Sequence, residues 1–257
     1  MKISIITITY NNVIGLKSTI ESIITQSSSN FECIIIDGAS TDETPQYLES
    51  LHDTRLRIIS EPDSGIYNAQ NKGWKLAVGE YCLFLNAGDR LFHHHVIEQV
   101  ESLLTNQSIV CFDLAFEYDQ YSIQKSIPNR IDEKYMSSSS LFHPSTFIFR
   151  ELLAALNGYN EDFRIVADYD FFLRALFDYN ASVKIVHYIT SVFDTKGLSS
   201  SPESRSKQQE ERLMSIHLIK NKKSKQKLLS EFKSSQSLFS IFKRKIITSI
   251  QHRFNRI

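Results

Sequence analysis

Cysteine is scarce in this chain, and glycine is missing where several nucleotide-binding enzymes need it. The 257 residues include three cysteines, Cys33, Cys82 and Cys111. Their number is odd, none sits in a CxxC spacing, and each lies in an apolar run that reads as a buried strand. That argues against a disulfide framework or a zinc ribbon and for reduced core thiols. No glycine precedes Gly15, so the turn after the first strand carries neither a dinucleotide-binding fingerprint nor a phosphate-cradling P-loop. A bound diphosphate then has to be held another way, by a divalent cation on a carboxylate. No apolar stretch reaches the ~20 residues that span a bilayer, and Met1-Lys2 leads directly into a strand pattern with no signal-peptide profile. The expectation is a cytoplasmic protein.

Net charge is absent too, but only in the total. From Lys220 to Ile257 eleven Lys and Arg face the single Glu231, a net +10 that leaves −10 on residues 1–219. An acidic body carries a basic tail.

What is present is a regular alternation. Ile3–Thr9 and Phe31–Asp37 are short apolar runs that read as buried strands, and Leu56–Ser60 and Glu80–Leu85 read as a third and a fourth strand. Between them, helical periodicity covers Val13–Thr25, a segment from Thr41 or Asp42 toward Leu51, and Ile66–Val78. This spacing predicts an α/β fold with a mostly parallel central sheet flanked by helices. Ligands of such sheets sit beyond the carboxyl ends of the strands. Thr9-Tyr10-Asn11-Asn12, Asp37-Gly38, Glu61-Pro62-Asp63 and Asn86-Ala87-Gly88-Asp89 each follow a strand directly. Four polar clusters are therefore expected on one rim. Further on, His94–Leu104 and Asp168–Phe177 read as helices, and Ile109–Phe116, Leu141–Arg150 and Ser182–Phe193 as strands.

Six segments occur in order: ISIITITYNN (3–12), IIIDGASTDET (34–44), SEPDSGIYNAQNKGW (60–74), GEYCLFLNAGD (79–89), LFHPSTFIFR (141–150) and FRIVADYDFFLR (163–174). Together they resemble the family-2 glycosyltransferases, inverting enzymes of the GT-A fold, and within them the subgroup that builds bacterial surface polysaccharides such as capsule and lipopolysaccharide. The resemblance covers roughly residues 1–200. It implies a nucleotide-sugar-binding half over 1–115, an acceptor-binding half over 116–203, and an appended basic amphipathic helical tail over 204–257.

The resemblance also implies roles. Asp89 matches the family's acidic metal motif and is expected to hold Mn2+ or Mg2+, hard ions served by one or two carboxylates plus substrate phosphates. Asn86, Ala87 and Gly88 complete that motif, with Asn86 toward the ribose; Gly88 departs from the family's carboxylate. Asp37 matches the residue that reads the base or ribose, favouring a UDP donor, and Thr9, Tyr10 and Asn11 belong to the same pocket, the tyrosine ring offering a stacking face. Asp63 and the segment Gly65–Gly73 match the donor-binding turn and helix, where Lys72 is expected to reach the diphosphate; Asn68 and Gln70 depart from the usual residues there. Trp74 and Leu76 are expected in the core. Asp168 matches the catalytic base, with Asp170 as the fallback, paired to Arg174 at i, i+4. His143 and Asp170 are expected to face sugar or acceptor. The loop Asp194–Ser199 matches one that closes over donor, with Lys196 toward phosphate. His93-His94-His95 reads as a solvated helix start, since three consecutive helical residues cannot face one ion.

In the tail, Leu238, Phe239, Ile241, Phe242, Ile246, Ile247, Ile250 and Phe254 recur at helical intervals among Lys243, Arg244, Lys245 and Arg253. Such a helix lies on anionic lipid or packs on the body or a partner subunit. The first fits an acceptor that is a lipid-linked glycan and a peripheral place on the inner face of a bacterial plasma membrane. Nucleic acid does not fit, because the body is acidic. Two competing functions remain at this stage: a nucleotide-sugar-binding membrane scaffold without turnover, which the thinned acidic motif favours, and a sugar nucleotidyltransferase, which the first loop disfavours.

Overall fold

A computed structural model of the chain describes residues 2–118, 121–197 and 204–235. The first half alternates as the pattern predicts: β1 (Ile3–Thr9), α1 (Val13–Ile24), β2 (Phe31–Asp37), α2 (Thr44–Glu49), β3 (Leu56–Ser60), α3 (Ile66–Leu76) and β4 (Tyr81–Phe84). Then follow β5 (Arg90–Leu91), α4 (Val96–Glu101), β6 (Ile109–Glu117), β7 (Ser122–Lys125), α5 (Glu133–Ser138), β8 (Thr146–Phe149), α6 (Arg150–Ala155), α7 (Ala167–Leu173), β9 (Val183–Asp194) and α8 (Ser204–Leu218). A further helix runs over 222–235.

All the strands join one sheet in the order β3-β2-β1-β4-β8-β6-β9-β5, with β7 on the side of β6. The pairs β3-β2, β2-β1, β1-β4 and β6-β9 are parallel. The second half adds antiparallel partners through β8, β7 and β5. The sheet is thus parallel from β3 through β4 and mixed beyond, and β6 runs across residue 115 without a break.

Both faces of the sheet are covered at its centre, which is why β1 and β2 are continuous apolar runs rather than alternating ones. Ile6, Ile8, Ile34 and Ile36 face one core cluster with Phe84, Phe171 and Phe172. Ile3, Ile5, Cys33 and Ile35 face the other, with Leu16, Ile20 and Phe147. The three thiols are free and buried. Burial pushes Cys33 and Cys111 up to about 12 and Cys82 further still. They are inert core residues.

The boundary expected at residue 204 moves. Ile216, Ile219, Leu228 and Phe232 belong to the core cluster that holds Phe171 and Phe172, so the body extends at least through Phe232. The polar surface of α8 hid this: of its few apolar positions Leu213 and Ile216 pack on the core, while Met214 and Leu218 are exposed. The amphipathic pattern from Leu238 to Phe254 lies outside the described residues. Among the described residues, no helix is long and apolar enough to cross a membrane.

Candidate active site

The strand tips of the parallel half are level with one another, because register pairs Thr9 with Asp37 and Asp37 with Ser60. The chain turns sharply after β1 at Asn11, whose φ is 49°, a left-handed conformation that Asn tolerates. The Asn11 side-chain oxygen accepts from the Thr41 N–H at 2.7 Å and its own N–H donates to Ser40 Oγ at 2.7 Å. Asn12 caps α1, accepting from the Gly15 N–H at 3.0 Å.

The turn Asn86–Asp89 is pinned from beneath by one hydroxyl. Thr19, fully buried, accepts from the Gly88 N–H at 2.9 Å and donates to the Asp89 carbonyl at 2.6 Å. The Ala87 N–H continues the β1 ladder by donating to Ile8 O at 3.0 Å. Gly88 has φ 110°, a conformation open to glycine and costly to other residues. Asn86 Oδ1 accepts from Gln70 Nε2 at 3.1 Å. Asp89 is 6% exposed, and its Oδ1 accepts from the Asp194 N–H at 3.0 Å. Burial pushes the Asp89 carboxyl up to about 8, with the neighbouring Asp194 carboxylate adding to the rise against the hydrogen bond from the Asp194 N–H.

Across from this turn stand residues of the second half. His143 stacks on Phe84, with centroids 5.1 Å apart and planes at 16°, and its Nε2 meets the Tyr159 hydroxyl at 2.8 Å. Burial lowers its pKa, opposed by the Asp168 carboxylate, so the ring is neutral at pH 7. Asp168 lies in the first turn of α7, which Val166 caps through its backbone. Asp168 Oδ1 is reached by the Tyr67 hydroxyl at 3.2 Å. Asn71 of α3 ties this half to the first, donating to Tyr159 O and accepting from the Tyr159 N–H, each at 2.9 Å.

A cleft of about 1060 Å³ joins the two sides. Thr9, Tyr10, Asp63, Asn86, Ala87, Gly88, Asp89, His143 and Asp168 all line it, together with Asp194 and Lys196. Asp89 and Asp168 therefore line one cleft.

Four expected residues are not part of that wall. Asp37 is fully buried behind it, where Ser60 Oγ donates to its Oδ2 at 2.6 Å and the Ser40 N–H and hydroxyl also engage it. Its oxygens are engaged by Ser40 in the turn after β2 and Ser60 at the end of β3. Asn11 is spent on the turn just described. Lys72 is held by Glu61 at 2.7 Å and by Pro62 O at 2.8 Å. Asp170 is 1% exposed, paired with Arg174 at 2.7 Å and accepting from Ser215 Oγ at 2.9 Å; it braces α7 and does not face a sugar. Trp74 is in the core and Leu76 packs on it.

Sequence reasoning missed Tyr67, Thr19 and the nearness of Asp194 to Gly88. Tyr67 and Thr19 read as ordinary helix positions, and the last contact joins residues 106 apart in the chain. Among the described residues, no group of three or more His, Cys, Asp or Glu is arranged to hold an ion. Asp89 and Asp194 form a two-carboxylate oxygen set in the cleft, which suits Mg2+ or Mn2+ when phosphate oxygens and water complete the shell.

The family model for glycosyl transferase family 2 matches residues 4–163. The chain is 31% identical over 206 residues to an uncharacterized glycosyltransferase of Mycobacterium tuberculosis, covering 78% of each. It is 27% identical over 201 residues to a PGL/p-HBAD biosynthesis glycosyltransferase of Mycobacterium bovis, covering 76% of this chain and 77% of that one. Among solved structures, S. aureus TarS in complex with UDP-GlcNAc matches with TM-score 0.71 at 18% identity, over 90% of this chain and 71% of that one. A mannosyltransferase of Pyrobaculum calidifontis in complex with GDP-Man and Mn2+ matches with TM-score 0.67 at 18% identity, over 90% and 69%. The chain belongs to glycosyl transferase family 2 and has the GT-A fold. It is a glycosyltransferase, which removes the nucleotidyltransferase alternative.

Proposed function

We propose that the cleft takes a nucleotide-diphosphate sugar, of UDP type, and that the enzyme transfers the sugar with inversion to a hydroxyl of a lipid-linked surface-polysaccharide intermediate. The single observation that carries this reading is the shared cleft of Asp89 and Asp168. Support for the donor class comes from the UDP-GlcNAc and GDP-Man in the two structural relatives. The Mycobacterium bovis relative is named for PGL/p-HBAD biosynthesis, which supports a role in biosynthesis.

In this reading Tyr10 and Asp63 flank the nucleoside, and the Asn86–Asp89 turn faces the diphosphate. Asp89 with Asp194 would hold Mn2+ or Mg2+, whose chemistry is to neutralise charge on a leaving diphosphate. Asp168 takes the proton of the acceptor hydroxyl as its oxygen bonds to the anomeric carbon. The bond from that carbon to the diphosphate oxygen breaks in the same displacement, and the nucleoside diphosphate leaves with the bonding pair. Neutral His143 faces the transferred sugar. The basic C-terminal region would keep the enzyme peripheral on the inner membrane face, beside a lipid-linked acceptor.

The test is nucleotide release from UDP-GlcNAc and from GDP-mannose, with Mn2+ and with EDTA. Metal-dependent release of UDP is expected. Binding of UDP without metal-dependent release from any common donor would favour the scaffold.

A further inference from the structure

Asp168 is short of direct support for a residue expected to meet a substrate proton. Its helix is capped by backbone alone, and the loop before it passes from exposed Arg164 to half-buried Ile165 and buried Val166. Yet two side chains from distant elements converge on that loop. Glu211 of α8 is 2% exposed. Its carboxylate accepts from the N–H groups of Arg164, Ile165 and Val166 at 3.1, 2.9 and 3.2 Å. A buried carboxylate is tolerable only when its oxygens are satisfied, and three consecutive peptide donors do so here. From the other side comes Tyr67 of α3, 7% exposed and packed on Tyr159 at 5.7 Å. Its hydroxyl donates to the Ile165 carbonyl at 2.6 Å and reaches Asp168 Oδ1 at 3.2 Å.

The peptide unit between Ile165 and Val166 is thus gripped at both poles, its C=O by Tyr67 and its N–H by Glu211. The Val166 carbonyl then accepts the first helical bond of α7, from the Asp170 N–H at 2.9 Å. Orientation passes from the gripped plane to Asp168 across two residues of fixed backbone. Neighbouring contacts agree: Ser215 of α8 reaches Asp170, and the Arg212 guanidinium lies 4.3 Å from the Tyr169 ring centre.

We infer that Tyr67 and Glu211 act together as positioning residues for Asp168, by fixing the Ile165–Val166 peptide plane between α3 and α8. The inference rests on the proposed role of Asp168 as base. It makes α8 part of the catalytic apparatus rather than the start of a tail.

Glu211→Gln replaces one acceptor oxygen with an N–H₂ facing N–H donors, and Tyr67→Phe removes only a hydroxyl. Each variant is expected to lower kcat for UDP release from UDP-GlcNAc with Mn2+ by about 10-fold or more, since a displacement near 1 Å costs on the order of 100-fold. UDP affinity should stay within about 2-fold. Because both side chains hold one plane, the double variant should fall little below the worse single variant, as coupled sites are non-additive. Hydrogen exchange gives a readout that needs no turnover. Tyr67→Phe touches none of the three N–H groups, yet it should speed exchange of residues 164–166 while leaving β1, β2 and β4 protected. Unchanged exchange there in Tyr67→Phe, or kcat losses that multiply in the double variant, would overturn the inference. If the wild-type enzyme releases no nucleotide from UDP-GlcNAc or GDP-mannose, the proposed function fails, and the exchange experiment still decides the positioning.

Discussion

The Asp194 carboxylate occupies the space that a side chain on Gly88 would enter: a Cβ there would lie 3.0 Å from Asp194 Oδ2. The end of β9 therefore brings a carboxylate to the acidic turn at the point where that turn has no side chain. Gly88→Ala should be destabilising on two grounds, the close contact and the φ of 110°. Residues held in such conformations cost about 1–3 kcal/mol. A fall in Tm with unchanged secondary structure is the expected outcome, measured by thermal denaturation with circular dichroism. A Gly88→Ala protein as stable as the wild type would contradict the close packing.

Metal-free stability should depend on Asp89 in a direction opposite to most carboxylates. Its folded pKa, raised to about 8 by burial, exceeds the value of about 3.9 in an unfolded chain. Between those values the folded state keeps a proton that the unfolded state has released. Stability from this group is therefore full below about pH 4, falls as pH rises toward 8, and levels off above. In EDTA, Tm should decline over this window, and Asp89→Asn should flatten the decline. A wild-type profile indistinguishable from that of Asp89→Asn would refute the burial account.

Core packing in the C-terminal region reaches Phe232. A chain ending after Ser235 keeps Leu228 and Phe232, which are buried in the main core, and should fold and bind UDP normally. It should lose binding to vesicles of anionic lipid if residues 236–257 form the lipid contact. A chain ending after Lys220 loses both core residues, and large-to-small losses of this kind cost about 2–5 kcal/mol each. Vesicle binding that survives the cut after Ser235 would assign the tail to the body or a partner.

The parallel half was readable because its central strands β1 and β2 are buried on both faces. Ile3–Thr9 and Phe31–Asp37 can be little else than central strands, and their tips point to the rim. The acidic turn and Asp168 were found by motif. What each aspartate does was harder to read, since Asp37, Asp89, Asp168 and Asp170 look alike in one dimension. Serines on neighbouring turns bury Asp37, Arg174 neutralises Asp170, and only Asp89 and Asp168 open to the cleft. Short elements such as Arg90–Leu91, Ser122–Lys125 and Arg150–Ala155 carry too few residues to establish a period. The grip of Glu211 was invisible for a different reason: it depends on contacts more than forty residues apart.

Transfer by Asp168→Asn, set beside its nucleotide binding, tests the account most directly. The amide preserves shape but cannot take the acceptor proton, and general bases contribute roughly 10²–10⁴-fold. UDP affinity with Mn2+ should remain within about 2-fold of wild type while turnover falls by about 100-fold or more. Turnover near the wild-type rate in that variant would contradict it.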